Sequence, residues 1–239
     1  MSATVLSALA TAGLLGVTHA VGPDHVAGIS SLTGDYGDSR LSALAGACFS
    51  VGHVALVGAW LAVGYVLLGR TEFPAALDAL GTVGGGVVLG LLGAAMAAGG
   101  LRRILRTGER SRGDGSHDHP RVRLPLPGTG SHGRDHGALP YRKTGLVGAL
   151  FTLSPPVSMI VFASTLLPDY GAPVVAFAVL AYGGAITVSM SLLGAGAGAL
   201  FGRTRERSAR VDGIARTVAG VVATALAAVL LLDGVTAVA

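Results

Sequence analysis

The chain has 239 residues, 13% of them charged, with 38 glycines and a mean hydropathy of +0.65. Few charges and abundant Gly, Ala, Leu and Val exclude an ordinary soluble domain and predict an all-α, polytopic bundle of membrane helices surrounded by lipid. The net charge of +4 would suggest a nucleic-acid partner in a soluble protein, but the basic residues cluster in two loops, where orientation in a membrane accounts for them and no nucleic acid is expected.

Six apolar runs read as spans: about 4–32, 41–68, 80–101, 144–167, 172–201 and 214–235. Each can cross about 30 Å of hydrocarbon with some tilt. No Lys or Arg precedes Arg40, so the first run lacks the basic flank of a signal peptide and is expected to stay as a helix. The spans group into a first half (1–101), a polar segment (102–143) and a second half (144–239).

The first span is interrupted at Gly22-Pro23, between His19 and Asp24-His25. A carboxylate at bilayer depth costs roughly 2.5–3.5 kcal/mol on insertion scales, so ionisable residues there point to function. On an unbroken helix Asp24 would lie roughly 140° round from His19, and His25 roughly 240°. They converge only across a break. Pro23 provides it by clashing with the carbonyl four residues back, that of His19, which is expected to be freed.

Span two carries His53. Ser42, Gly46, Ser50, His53, Val57 and Trp60 form one helical stripe, small and partly polar, that should face the bundle. If spans one and two are antiparallel neighbours, His19, Asp24, His25 and His53 share one pocket. A single buried histidine is more often a hydrogen-bonded structural residue than a ligand; three with a carboxylate favour a metal site. Imidazole with one carboxylate suits Ni, Co, Zn, Cu or Fe, whereas Mg and Ca prefer oxygen. Cys48 is the single cysteine, which excludes an intramolecular disulfide and a dithiol relay.

Between spans three and four, residues 102–143 hold ten basic residues against four acidic ones, and Arg203, Arg205, Arg207 and Arg210 crowd the next such loop. The positive-inside rule puts both loops in the cytoplasm and both termini outside, in the plasma membrane. The polar segment also holds His117, His119, His132 and His136. Its composition predicts a flexible linker, with the histidines either incidental or a tether that gathers metal.

The second half repeats features of the first. An offset of 133 residues carries Pro23 onto Pro156 and Ser31 onto Ser164. Sparse identities in so apolar a chain also arise by chance. Three spans per half would place the halves in opposite orientations, a 3+3 inverted repeat with helices 1 and 4 broken, as secondary transporters use around a midplane site. Ser154, Pro155, Pro156 and Ser158 line the second break, and Thr187 sits at depth in span five. These hydroxyls are pathway candidates, against the ordinary reading that they bond back to their own helices. Gly86-x-x-x-Gly90 and Gly194-x-x-x-Gly198 read as close-packing faces.

His19, four residues, then Asp24-His25 resembles the signature of the nickel/cobalt transporter family. Phe49-Ser50-Val51-Gly52-His53, with Val54 and Val57, is similar to that family's second histidine motif. The six-span plan with a histidine-bearing central loop resembles the branch that includes efflux proteins. The resemblance covers Leu15 to Trp60, and the second half by architecture alone. It implies a non-enzymatic carrier that binds Ni2+ or Co2+, or another divalent first-row ion, through His19, Asp24, His25 and His53. Proton-coupled efflux is the expected direction, and a homo-oligomer a compatible assembly. Two other classes fit less of the chain. An intramembrane metal-dependent hydrolase would use the same cluster and keep its metal. A thiol-disulfide conductor would need a second cysteine.

Overall fold

Seven helices and no strand form among the described residues: α1 (Ala3–Ala20), α2 (Pro23–Thr33), α3 (Ser39–Ala62), α4 (Ala75–Arg112), α5 (Leu139–Leu150), α6 (Val157–Arg207) and α7 (Ala209–Thr236). The computed structural model describes residues 2–34, 36–64, 75–112, 139–150 and 157–236. Among the described residues, five stretches are long and apolar enough to cross a membrane: Ala3–Ala20, Ser39–Ala62, Ala79–Thr107, Ser158–Arg207 and Ala209–Thr236. The chain is an all-helical protein of membrane type, with apolar helix faces suited to lipid.

The stretch Ser158–Arg207 spans 50 residues, about 75 Å at the rise of an α-helix and more than twice the hydrocarbon depth. It is divided at Gly171, whose φ of 72° and ψ of 173° lie in a region open to glycine, between Pro168 and Pro173. The division falls in the gap expected between the fourth and fifth spans. The segment expected as a loop over 102–143 is helical at both ends, since α4 runs on to Arg112 and α5 begins at Leu139. Arginine is a good helix former, and Arg102, Arg103 and Arg106 lie towards the C-terminal end of α4, where the helix dipole favours cations.

α4 packs along α7, while α3 lies against α6 and α5, and α1 against α6. One apolar core joins Ala8, Ala12 and Ala20 of α1, Ile29 of α2, Phe49 and Val57 of α3, and Met159, Tyr182, Ile186 and Met190 of α6. A smaller one joins Leu89 of α4 to Ala223 and Ala227 of α7, with Ala27 of α2 packed on it. The short helix α2 touches α3, α4, α6 and α7. It joins the α4–α7 pair to the other helices, as the contact of α6 with α7 also does.

These contacts are backbone-close because small residues line them. A Cβ on Gly46 would collide with the Met190 carbonyl of α6, so α3 and α6 meet at a separation that admits no side chain there. The expected stripe on α3 is the packed one: Ser42, Gly46, Ser50, His53 and Val57 are buried, and Trp60 is half-buried. Gly194 and Gly198 both close on Ser42, as the small-residue spacing predicts.

Candidate metal centre

The helix that starts at Ala3 ends at Ala20, and a new one starts at Pro23. Proline suits the first turn of α2, where its missing N–H is no loss, and Asp24 puts a carboxylate at the positive end of that helix. The His19 carbonyl is not left free, as Pro23 led us to expect. Gly22 N–H donates to it at 3.1 Å, and Val21 N–H donates to Val17 O at 3.2 Å. The break turns the chain without stripping its backbone of partners, as an apolar surrounding demands. Gly22 leaves room for this turn: a Cβ there would stand 2.7 Å from Asp24 Oδ1 and 3.1 Å from His19 O.

Across the break three imidazoles converge. One ligand atom each from His19, His25 and His53 lies within 4.8 Å of the others, and this is the one such cluster among the described residues. His19 Nε2 is 3.1 Å from His53 Nε2. Ring centroids are 4.7 Å apart for His19–His25, 5.0 Å for His25–His53 and 5.2 Å for His19–His53, a nearly equilateral arrangement. His25 and His53 are buried and His19 is half-buried. Phe49 stacks on His53 at 6.4 Å and meets His25 edge-on at 6.3 Å, while the Tyr182 ring stands 5.9 Å from His19.

Asp24, expected as a fourth ligand, is not among the clustered donors. Its Oδ2 is 2.9 Å from His25 Nδ1. That contact orients the ring, and with the proton on Nδ1 the Nε2 lone pair is the one open to a cation, as for carboxylates behind metal-binding histidines. The carboxylate side chain is 34% exposed against 5% for His25, so it stands on the open side of the cluster.

The geometry suits a small cation. Bonds of about 2.0–2.1 Å in a tetrahedral set separate nitrogens by roughly 3.3 Å, close to the His19–His53 distance. The third imidazole needs to close by about 1.5 Å at most to join them. Three nitrogen donors and no clustered oxygen favour late first-row ions over Mg or Ca.

Of the pathway candidates, Thr187 is half-buried where α6 meets α3, donating to Gly183 O at 2.8 Å while its oxygen accepts from Ser50 at 3.1 Å. Ser50 lies one helical turn before His53. Ser158 is exposed on α6. Ser154, Pro155 and Pro156, and the loop histidines His117, His119, His132 and His136, lie outside the described residues.

Sequence reading missed a second polar centre. Asp212 of α7 is fully buried and meets Arg103 at 2.6 Å, Arg216 at 3.0 Å and Arg205 at 3.7 Å. Arg205 also donates to the Gly34 carbonyl at the end of α2 at 3.0 Å, and Arg216 donates to the same oxygen. The available signal was Asp212 with Arg216 one turn on, in a helix whose other charges, Arg210 and Asp233, lie near its two ends. Compared with protein-family models, with curated proteins and with solved structures, the chain finds no match.

Proposed function

We propose that this chain carries divalent first-row transition-metal ions, nickel or cobalt foremost, across the plasma membrane, and that it is not an enzyme. The observation that supports this most is the convergence of His19, His25 and His53 at a helix break inside an apolar bundle. Ionisable clusters at such depth mark ion pathways. The likeness of His19-x4-Asp24-His25 and of Phe49 to His53 to the nickel/cobalt transporter motifs supports the same reading.

In this account the chain has six spans, with α1–α2 and α5 plus the first arm of α6 as broken helices of an inverted 3+3 repeat. The arginine-rich ends face the cytoplasm and the termini face outward. Asp24 meets the hydrated ion first, and the imidazoles replace its water. Metal and protons compete for the same nitrogens, so protonation drives release and couples transport to a proton gradient. The direction is efflux. Because α2 carries Asp24 and His25 and touches both groups of helices, rocking of one group against the other moves His25 relative to His19 and His53.

The test is flux of Ni2+ or Co2+ into liposomes that hold the purified protein and a trapped metal-sensitive dye. Wild type should load the dye, faster with a proton gradient, and His19→Ala, His25→Ala and His53→Ala should not. Equal flux in all four would remove the proposal. A chain that binds metal through these histidines, moves none and retains it through chelation would instead be a metal-dependent hydrolase.

A further inference from the structure

An apolar groove of about 440 Å³ opens between α2, α6 and α7, lined by Val26 and Ser30 of α2, Leu193, Ala197 and Phe201 of α6, and Ala219 of α7. Every wall leads to the Asp212 cluster. On α2, Val26 and Ser30 are followed one turn later by Gly34, whose carbonyl accepts from Arg205 and Arg216. On α6, Ala197 and Phe201 are followed one turn later by Arg205. On α7, Arg216 lies one turn from Ala219, and its guanidinium stands 5.7 Å over the Phe201 ring.

The charged end and the apolar trough match one kind of molecule. Three guanidiniums share the single carboxylate of Asp212, so the cluster carries two positive charges in excess among the described residues. The Arg216 side chain is only 5% exposed, but Arg205 and Arg103 are 30% and 42% exposed. Those two side chains form the solvent-accessible edge of the cluster. The wall of α6 runs from Leu192 to Phe201, about 14 Å at the helical rise. That is close to half of the roughly 30 Å hydrocarbon layer, the depth of one leaflet.

We propose that this corner binds an anionic phospholipid, its phosphate on Arg205 and Arg103 and one acyl chain along the groove. Guanidinium forks match phosphate oxygens in pairs, and basic pockets between membrane helices receive such head groups. The site is separate from the imidazole cluster and needs no metal. The bound lipid bridges α2, α4, α6 and α7, and of these α2 carries His25 of the imidazole cluster.

The experiment is native mass spectrometry of the full chain, delipidated in detergent and titrated with phosphatidylglycerol or phosphatidylcholine. Two variants accompany it, Arg205→Gln and Gly196→Trp. Gly196 lines the groove and a Cβ there meets nothing within 4 Å, so a side chain can start from this position without a backbone clash, and the indole is chosen to occupy the groove. Wild type should hold phosphatidylglycerol several-fold more than phosphatidylcholine, and both variants should lose most of that preference, Gly196→Trp at an unchanged thermal midpoint. Equal retention of the two lipids, or wild-type binding in both variants, overturns the site. Displacement of the lipid by millimolar inorganic phosphate, with Gly196→Trp silent, shows a phosphate site rather than a lipid one and also overturns it. Should Arg205→Gln fail to fold, Gly196→Trp, which leaves every arginine in place, decides alone.

Discussion

His19 Nε2 and His53 Nε2 stand 3.1 Å apart, although 34 residues and a change of helix separate them. Two imidazole nitrogens hold that distance when one proton lies between them, or when a cation takes its place. Acid fills both nitrogens with protons and pushes them apart. Metal affinity should therefore fall as pH drops, by up to about tenfold per unit for each imidazole that gains a proton. Equilibrium titration with Co2+ at a series of pH values reads the slope. A flat profile across the histidine range would contradict imidazole ligation.

Asp24 acts on the ion through His25 as well as by its own charge. Asp24→Asn takes the negative charge from the acceptor beside His25 Nδ1, and losses of such partners cost about 10- to 100-fold in metal affinity. The same loss without unfolding is expected of Gly22→Ala, because a Cβ at Gly22 displaces the Asp24 carboxylate. Competition against a fluorescent chelator measures both. Wild-type affinity in Asp24→Asn would reduce the carboxylate to a capping residue.

Asp212 should matter to folding rather than to metal. It is fully buried among three guanidiniums, and removing one partner of a buried ion cluster costs about 3–5 kcal/mol. Asp212→Ala is expected to lower the thermal midpoint steeply in detergent, and any folded fraction should bind metal with unchanged stoichiometry.

The close approach of α3 to α6 gives a further test. Gly46→Leu drives a side chain into the Met190 backbone, and overpacking of this kind costs about 1–3 kcal/mol. Because His53 lies two turns along α3 from Gly46, metal affinity should fall together with stability. Thermal unfolding and metal titration of one preparation read both.

The spacing of residues carried much of this arrangement. Gly22-Pro23 marks the end of α1, and the stripe from Ser42 to Val57 identifies the packed face of α3 because a 3.6-residue period records which side is buried. The convergence of His19, His25 and His53 needed the further premise that the first two spans are neighbours; in the structure α1 lies against α6, and it is α2 that meets α3. The role of Asp24 was not legible, since a 2.9 Å contact to His25 depends on a turn geometry that no spacing encodes. The rescue of the His19 carbonyl by Gly22 N–H is of the same kind. The Asp212 cluster escaped because Arg103, Arg205 and Arg216 come from three helices: the first two read as loop charges, and Arg216 fell inside the sixth apolar run. Contacts between distant helices leave no periodic trace.

The most direct measurement is X-ray absorption at the nickel edge of protein loaded with one equivalent of Ni2+. The account predicts three imidazole nitrogens near 2.0–2.1 Å, the range of zinc–imidazole bonds, falling to two in each of His19→Ala, His25→Ala and His53→Ala. A shell of oxygen alone, or a spectrum unchanged by all three substitutions, would contradict it.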